Sequence, residues 1–287
     1  MNTVGEWLAH SSRLLAEAAR TEHDRESAEL ESSLLTAHVT GRSRASQFAF
    51  PETELSRDQL HSLQQLVQRR CDGEPLAYLT GEREFWSLPL SLAAGALIPR
   101  PDTELLVELA LERLPKLPAG DIIELGTGSG AIALALAQEV SDRPITAIER
   151  HDAALQIAQH NIRQFGQGRV QLIQASWLDC IAAESAALIL SNPPYLASDD
   201  PHLPTLHFEP QTALVSGSSG LEDIEQIIEA SCRAGKPGCL LLLEHGQEQG
   251  ASVRSLLDDY NFEQVQTCRD LSGHERVSLG YRQERVR

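Results

Sequence analysis

The 287-residue sequence is short of several things, and each shortage removes a class of function. Its five cysteines, Cys71, Cys180, Cys232, Cys239 and Cys268, are scattered, odd in number and never spaced C-x-x-C. A disulfide framework and a zinc site are both disfavoured, so no metal is expected and a reducing, cytoplasmic setting is. Residues Met1 to Leu15 include Glu6 and lack an apolar h-region, so no secretory signal is read. The longest apolar run, near Cys239–Leu243, is far too short to span a bilayer, and no membrane partner is expected. Basic residues are scarce: 24 Lys and Arg face 41 Asp and Glu, a net charge of −17. That balance disfavours attraction to a phosphate backbone and suits a basic protein partner, so no direct nucleic-acid contact is expected. G-x-S-x-G and H-E-x-x-H are also absent, and the histidines, including His202, His207 and His245, read as surface or structural residues.

What is present is ample for one large domain and a small one. Residues from about 3 to 71 read as helices. Thr3 with Glu6 and Ser56 with Gln59 have capping-box spacing, and Trp7, Leu8, Leu14, Leu15, then Leu30, Leu34, Leu35, Val39, then Leu60, Leu63, Leu66, Val67 recur at helical intervals. From Glu74 to Glu104 proline and glycine are frequent and apolar residues alternate, which suggests a hairpin and a turn joining two domains. A helix is expected from Asp102 or Thr103 through Leu111, and Arg100 before it is either a solvated charge near a domain seam or a functional residue. The expected organisation is a helical module over 1–73, a linker with a β-hairpin over 74–99, and a larger domain over 100–287.

The larger domain alternates strand and helix. Strands are expected at Asp121–Leu125, Ile145–Glu149, Val170–Gln174, Leu188–Leu190 and Cys239–Glu244. Helices are expected at Ala131–Val140, Ala153–Phe165, Leu221–Cys232 and Gln247–Tyr260. The last pieces, Glu263–Cys268 and Arg276–Tyr281, are close enough to form a hairpin. This is an α/β pattern: a mostly parallel sheet with helices on both faces, closed by an antiparallel hairpin.

Two motifs sit at strand ends in that pattern. Leu188-Ile189-Leu190-Ser191 leads into Asn192-Pro193-Pro194-Tyr195. Consecutive prolines lack N–H groups and cannot continue a ladder. The turn can instead aim acceptors, the Asn192 side chain and the Asn192 and Pro193 carbonyls, at a planar –NH2 group, with Tyr195 as an aromatic wall. A rigid turn without chemistry is the other reading. Glu124-Leu125-Gly126-Thr127-Gly128-Ser129-Gly130 follows the first strand of the sheet and opens a helix. Glycines there permit a tight turn and close approach of a ligand to backbone N–H groups. Nineteen residues after Gly130, Glu149 ends the next strand, where a carboxylate can accept from ribose hydroxyls. The spacing is G-x-G-x-G, not the dinucleotide G-x-G-x-x-G, and no G-K-[ST] closes it, which excludes a P-loop. Glu124 is either a strand-end charge or a partner for a cationic amino group. Together these favour S-adenosylmethionine over NAD. Trp177 covers an adenine face or plugs the core edge.

Taken together, these residues resemble the HemK/PrmC-type glutamine methyltransferases along nearly the whole chain. The resemblance is most specific at Asn192–Tyr195, Leu97–Glu104, Glu84-Phe85-Trp86, Phe208-Glu209-Pro210 and Leu243-Glu244-His245-Gly246. It implies a class I, Rossmann-like S-adenosylmethionine-dependent methyltransferase fold behind a small helical recognition domain. It also implies cofactor contacts from Gly126, Thr127, Gly128, Ser129, Gly130, Glu149, Trp177 and Asn192, and a glutamine held by Asn192, Pro193, Pro194 and Tyr195. The substrate it implies is the glutamine of the Gly-Gly-Gln motif in class I peptide chain release factors. Two positions depart from the family pattern: Glu149 stands where Asp is common, and Ser176 where an acid is expected before the aromatic residue. Three readings follow: the release-factor enzyme, an enzyme acting on a ribosomal-protein glutamine or on a DNA or RNA amino group, and a non-enzymatic cofactor-binding scaffold.

Overall fold

A computed structural model describes residues 2–19 and 21–283; Met1, Arg20 and residues 284–287, which the expected outer domains include, lie outside it. The chain forms two compact units, Met1–Glu82 and Arg83–Arg287. The first holds α1 (Val4–Ala18), α2 (Glu22–Thr40), α3 (Arg44–Ala49), α4 (Arg57–Cys71) and α5 (Leu76–Thr80). Both expected capping boxes form, and Thr21 with Asp24 adds a third at the start of α2. Each satisfies backbone N–H groups that a helix start leaves orphaned. Val4, Trp7, Leu15, Leu35, Leu63 and Val67 fill the core of this unit, whereas Leu14 and Leu30, also expected inside, are exposed. Helix α5 lies within the stretch expected to be a linker. Pro75 precedes it and Gly81 ends it in a left-handed conformation (φ +73°), so a Pro/Gly-rich segment encodes a short helix here.

The expected hairpin, β1 (Glu82–Phe85) and β2 (Leu88–Ser91), starts at the last residue of the first unit and otherwise belongs to the second. Its two turn residues, Trp86 and Ser87, both have positive φ, as a tight two-residue hairpin requires. A single 3-10 turn at Pro101–Thr103 then precedes α6 (Glu104–Arg113). The alternating elements are β3 (Asp121–Leu125), α7 (Ala131–Glu139), β4 (Ile145–Glu149), α8 (Asp152–Phe165), β5 (Val170–Gln174), β6 (Ala186–Ser191), α9 (Glu222–Ala234), β7 (Gly235–Glu244) and α10 (Gly250–Asp259). Strands β8 (Phe262–Arg269) and β9 (Glu275–Arg282) close the chain.

Seven strands make one sheet in the order β5-β4-β3-β6-β7-β9-β8. The first five are mutually parallel, while β9 runs antiparallel to both β7 and β8. Covered on both faces, β4 and β6 are buried at every residue, which is why β6 reads as an apolar run up to Ser191 and β4 carries polar residues only at Thr146 and Glu149. Side chains alternate between the faces. Ile122, Leu188, Leu190, Leu240 and Leu242 join α6 and α7 in one core. Ile123, Ile189, Leu241 and Leu243 join α9 and α10 in the other. Truncating a fully buried member of this set, such as Leu190→Ala, costs about 2–5 kcal/mol.

Candidate active site

Strand β3 has β4 on one side and β6 on the other, so chain order reverses there and the carboxyl strand ends bound a crevice suited to a ligand. The glycine loop lies on this rim. Gly126, Gly128 and Gly130 have φ of +66°, +58° and +86°, a left-handed backbone that glycine takes without strain. Thr127 N donates to Ile148 O at 3.0 Å and Gly130 N to Thr127 O at 2.8 Å. Glu124 Oε2 accepts from the Thr127 hydroxyl at 2.6 Å and from Ala133 N at 2.9 Å. Glu124 is therefore no solvated strand-end charge. It staples the loop to α7, and burial pushes its carboxyl up to about 8 against those two bonds.

Glu149 is held from three directions. Its Oε1 accepts from Arg150 N and His151 N, both at 2.8 Å, and its Oε2 from Gly128 N at 3.0 Å. A carboxylate offers about four acceptor sites, so roughly one remains for a ribose hydroxyl in this arrangement. Ser129 is buried, and its carbonyl accepts from Asn161 Nδ2 at 2.9 Å. Asn161 in α8 also exchanges bonds with Ser91. Trp177 is placed where either role read for it is open. It lines the crevice beside Gly126 and packs against the core that includes Leu178.

The cleft at this rim is lined by Gly95–Leu97, Gly126, Glu149, Ser176, Trp177, Asn192 and Asp223, among others. Left-handed glycines beside an anchored carboxylate and an indole fit an adenosyl group. Asp223 supplies a carboxylate to the same cleft as Ser176. Its sequence position, in the first turn of an amphipathic helix, reads as an ordinary solvated acid and gave no warning of this.

On the other side of β3, Ser191 Oγ donates to Leu125 O at 2.8 Å and ties the two switch-point strands together. The chain then enters Asn192-Pro193-Pro194-Tyr195. Tyr195 N and Leu196 N both donate to Leu214 O, and Gln249 Nε2 donates to Tyr195 O at 2.9 Å. Asn192 Nδ2 donates to Thr103 Oγ1 at 3.2 Å. Its Oδ1 is buried and has no hydrogen-bond partner among the described residues. An orphaned buried acceptor costs free energy, of order 1–3 kcal/mol, unless a ligand donor repays it.

The segments around this turn are knitted to one another. Glu209, buried, accepts from Ile98 N at 3.0 Å with Oε2 and from the Arg100 guanidinium with Oε1. Arg100 is thus paired with a buried carboxylate, while its own side chain stays partly exposed. Glu104 Oε1 accepts from Trp86 N at 3.0 Å. A second cleft opens here, lined by Arg100, Asn192, Tyr195, His202, Leu214 and Arg276, among others. Arg276 pairs with Asp102 at 3.5 Å and Asp270 at 3.4 Å. Leu97, Asn192 and Ala213 line both clefts. Burial, with the Glu244 charge adding to it, pushes the Tyr195 phenol up to about 12, so it stays neutral. Burial likewise pushes the Glu244 carboxyl up to about 7. His245 is buried between Gly246 O and Ser278 Oγ, a structural place.

The chain is similar to known proteins along most of its length. The family model described as the PrmC N-terminal domain matches residues 6–81, and the methyltransferase small domain matches 102–207. Among solved structures, the hMettl16 catalytic domain superposes with a TM-score of 0.56 at 15% identity, covering 81% of this chain and 84% of that one. A methyltransferase from Pyrococcus furiosus gives 0.52 at 16%, covering 75% and 97%. At such identities they show the fold alone: a class I methyltransferase sheet with its closing hairpin. Proteins named release factor glutamine methyltransferase from Escherichia coli (strain K12) and Haemophilus influenzae are 49% and 41% identical, over 257 and 291 residues. These alignments cover 89% and 96% of this chain and 92% and 98% of the relatives. With likeness of that depth running through both units, the chain belongs to the release factor glutamine methyltransferase family.

Proposed function

We propose that the protein methylates the side-chain amide nitrogen of the glutamine in the Gly-Gly-Gln loop of class I peptide chain release factors. The observation that carries this is the buried, unpartnered Asn192 Oδ1, on a residue shared by the two clefts. Gly126, Thr127, Gly128, Ser129, Gly130, Glu149, Trp177 and Asn192 would hold S-adenosylmethionine in the first cleft. When bound, that cofactor supplies an electrophilic methyl group on a sulfonium.

An amide nitrogen is a weak nucleophile because its lone pair is delocalised into the carbonyl. Asn192 Oδ1 and the Pro193 carbonyl each accept one of its N–H groups, which fixes the –NH2 and aims the lone pair across the shared boundary. Pro194 keeps the turn rigid, and Tyr195 walls the acceptor side. Positioning and fixed acceptor dipoles supply most of the rate. No strong base is needed, since an N-methylated amide cation is very acidic and gives its proton to water. The neutral Tyr195 phenol is suited to packing and not to proton removal.

The acceptor turn can take any planar –NH2, so the choice of substrate rests on other features. The net charge of −17 makes a polyanion a poor partner and a basic translation factor a good one. The helical unit offers a second surface for a folded protein. The relatives' names point to the same substrate. Incubation with labelled cofactor followed by mass spectrometry should place one methyl on the Gly-Gly-Gln glutamine of an intact release factor. The isolated loop peptide should be a much weaker substrate, having lost the remote contacts that position the amide. Label on a ribosomal protein, RNA or DNA, with release factors unlabelled, would overturn this reading.

A further inference from the structure

Asn161 is fully buried on the inner face of α8 and lines neither of the two clefts. A primary amide has two N–H donors and one oxygen, and here both donors and the oxygen are engaged. Its Oδ1 accepts from Ser91 N at 2.9 Å. Its Nδ2 donates to Ser91 O at 3.0 Å and to Ser129 O at 2.9 Å. The exchange with Ser91 is the one a neighbouring strand would make, N–H and carbonyl both answered, so the side chain adds a rung at the end of β2. These partners also fix which way round the amide lies. Turned over, it would set its oxygen against two carbonyls and its –NH2 against an N–H. The two backbones it joins both lead to the cofactor cleft. Ser129 belongs to the glycine loop, and the peptide between Ser129 and Gly130 is held at its other end, where Gly130 N donates to Thr127 O at 2.8 Å. The peptide plane on which the loop turns into α7 is therefore pinned on both sides. From Ser91 the chain runs to Gly95, and Gly95, Ala96 and Leu97 line the cleft. Gly95 lies against α8 as well: its φ is +119°, and a β-carbon there would stand 2.6 Å from Ala153 Cβ. Only glycine allows so close an approach in that conformation.

We infer that Asn161 is a positioning residue for the cofactor cleft: its amide clamps the glycine loop at Ser129 and the 91–97 segment at Ser91 onto α8, and so sets the spacing between two parts of the lining that grip S-adenosylmethionine. The inference rests on the reading of the first cleft as the seat of that cofactor. Asn161 acts through the backbone it holds and touches no ligand itself. Coupling through such a clamp is reciprocal. If the clamp orders the cleft for the cofactor, a ligand in the cleft steadies the clamp in return. That includes the Ser91 N–H, which lies outside the cleft and is bonded to the Asn161 oxygen.

The test uses the intact protein with S-adenosylhomocysteine, the demethylated form of the cofactor, as the probe, and needs no turnover. Hydrogen exchange read by NMR comes first. On saturation with the probe, the Ser91 amide should exchange about 10-fold more slowly or better, and by a larger factor than the amides of the edge strand β8. Calorimetry well below the thermal transition comes second. Asn161→Asp keeps an acceptor for Ser91 N but sets a carboxylate against two carbonyls, and Asn161→Leu removes all three bonds. Each should weaken binding of the probe about 10–100-fold. Leu106→Ala, a truncation in the α6 core that lines neither cleft, should lower Tm yet keep the affinity within about twofold, which separates positioning from general loss of stability. Normal affinity in the folded Asn161 variants, or a wild-type Ser91 amide that slows no more than those of β8, overturns the inference. Should neither variant fold, the wild-type Ser91 amide decides alone. Weakened binding in Gly128→Val with none in the Asn161 variants strikes this inference and leaves the cleft standing. A wild-type protein that does not bind the probe strikes both.

Discussion

The two sides of β3 solve the same problem, holding a small polar group still, by opposite means. The cofactor side is local. Most of its fixing bonds join Thr127 and Ala133 to Glu124, and Gly128 to Glu149, within one strand-loop-helix-strand stretch, with Asn161 on Ser129 O as the exception. Backbone conformation does most of the holding. The acceptor side gathers partners from far along the chain: Thr103 to Asn192, Glu209 to Ile98 and Arg100, Gln249 to Tyr195. There, side chains do the holding. A backbone site tolerates changes of side chain but not of φ, whereas a side-chain site fails when one partner is removed.

The sharpest way to break this contrast is Asn192→Ala. Loss of one preorganised partner in a desolvated site should lower kcat on the order of 10²–10³. Cofactor binding by calorimetry should weaken far less than kcat falls, because Asn192 is only one of the cleft residues and the glycine loop and Glu149 remain. Normal kcat in the folded variant would show the turn to be structural only. The converse is Gly128→Val. A β-branched residue at φ +58° is strained by about 1–3 kcal/mol. Binding of S-adenosylmethionine should weaken on the order of 10–100-fold, while the thermal transition of the protein persists. Unchanged affinity would mean that the loop does not cradle the cofactor.

A smaller effect sharpens the picture at Glu124. Its folded ionisation near 8 lies above the usual 4.5, so the folded state binds more protons than the unfolded state between those values. This group's contribution to stability is therefore full at pH below about 4.5 and is lost as pH rises through about 8. The Tm of the cofactor-free protein should fall across that interval, and less steeply in Glu124→Gln. If the cationic amino group of the cofactor approaches Glu124, calorimetry in buffers of different ionisation enthalpy should detect release of up to about one proton at neutral pH. That release should vanish in Glu124→Gln. Binding without proton uptake or release in the wild type would separate Glu124 from the cofactor's amino group.

The same contrast explains what could be read from the sequence. Elements with a clear pattern were legible: the two-face-buried β4 and β6, the amphipathic α8 and α9, and the closing hairpin. The glycine loop was legible because its chemistry is written in consecutive residues. Helix α5 was not, since proline and glycine punctuate hairpins and short helices alike. Strand β7 starts at Gly235 and not near Cys239, because Lys-Pro-Gly looks like a loop, while a register shift opposite Ala186–Leu188 lets the ladder absorb it. The Asn192 turn was visible as a motif, but its supports were not. Nothing in the spacing of Thr103 or Gln249 announces that they meet it. Asn161 left one signal, a lone amide on the buried face of α8.

The reversed direction of β9 has a consequence for how the protein comes into being. In a parallel strand the end of the segment reaches the ligand rim. In β9 it is the beginning, with Val277 opposite Glu244 and His245 N bonded to Arg276 O at 2.9 Å. Arg276, near the far terminus, thus reaches a pocket whose other walls come from the middle of the chain. During synthesis, which delivers the chain from its first residue onward, the glycine loop and its strands emerge with more than a hundred residues still to come. The acceptor pocket gains its last cation only when the final hairpin has docked. A nascent chain can have the means to grip the methyl donor before it has a finished place to spend it.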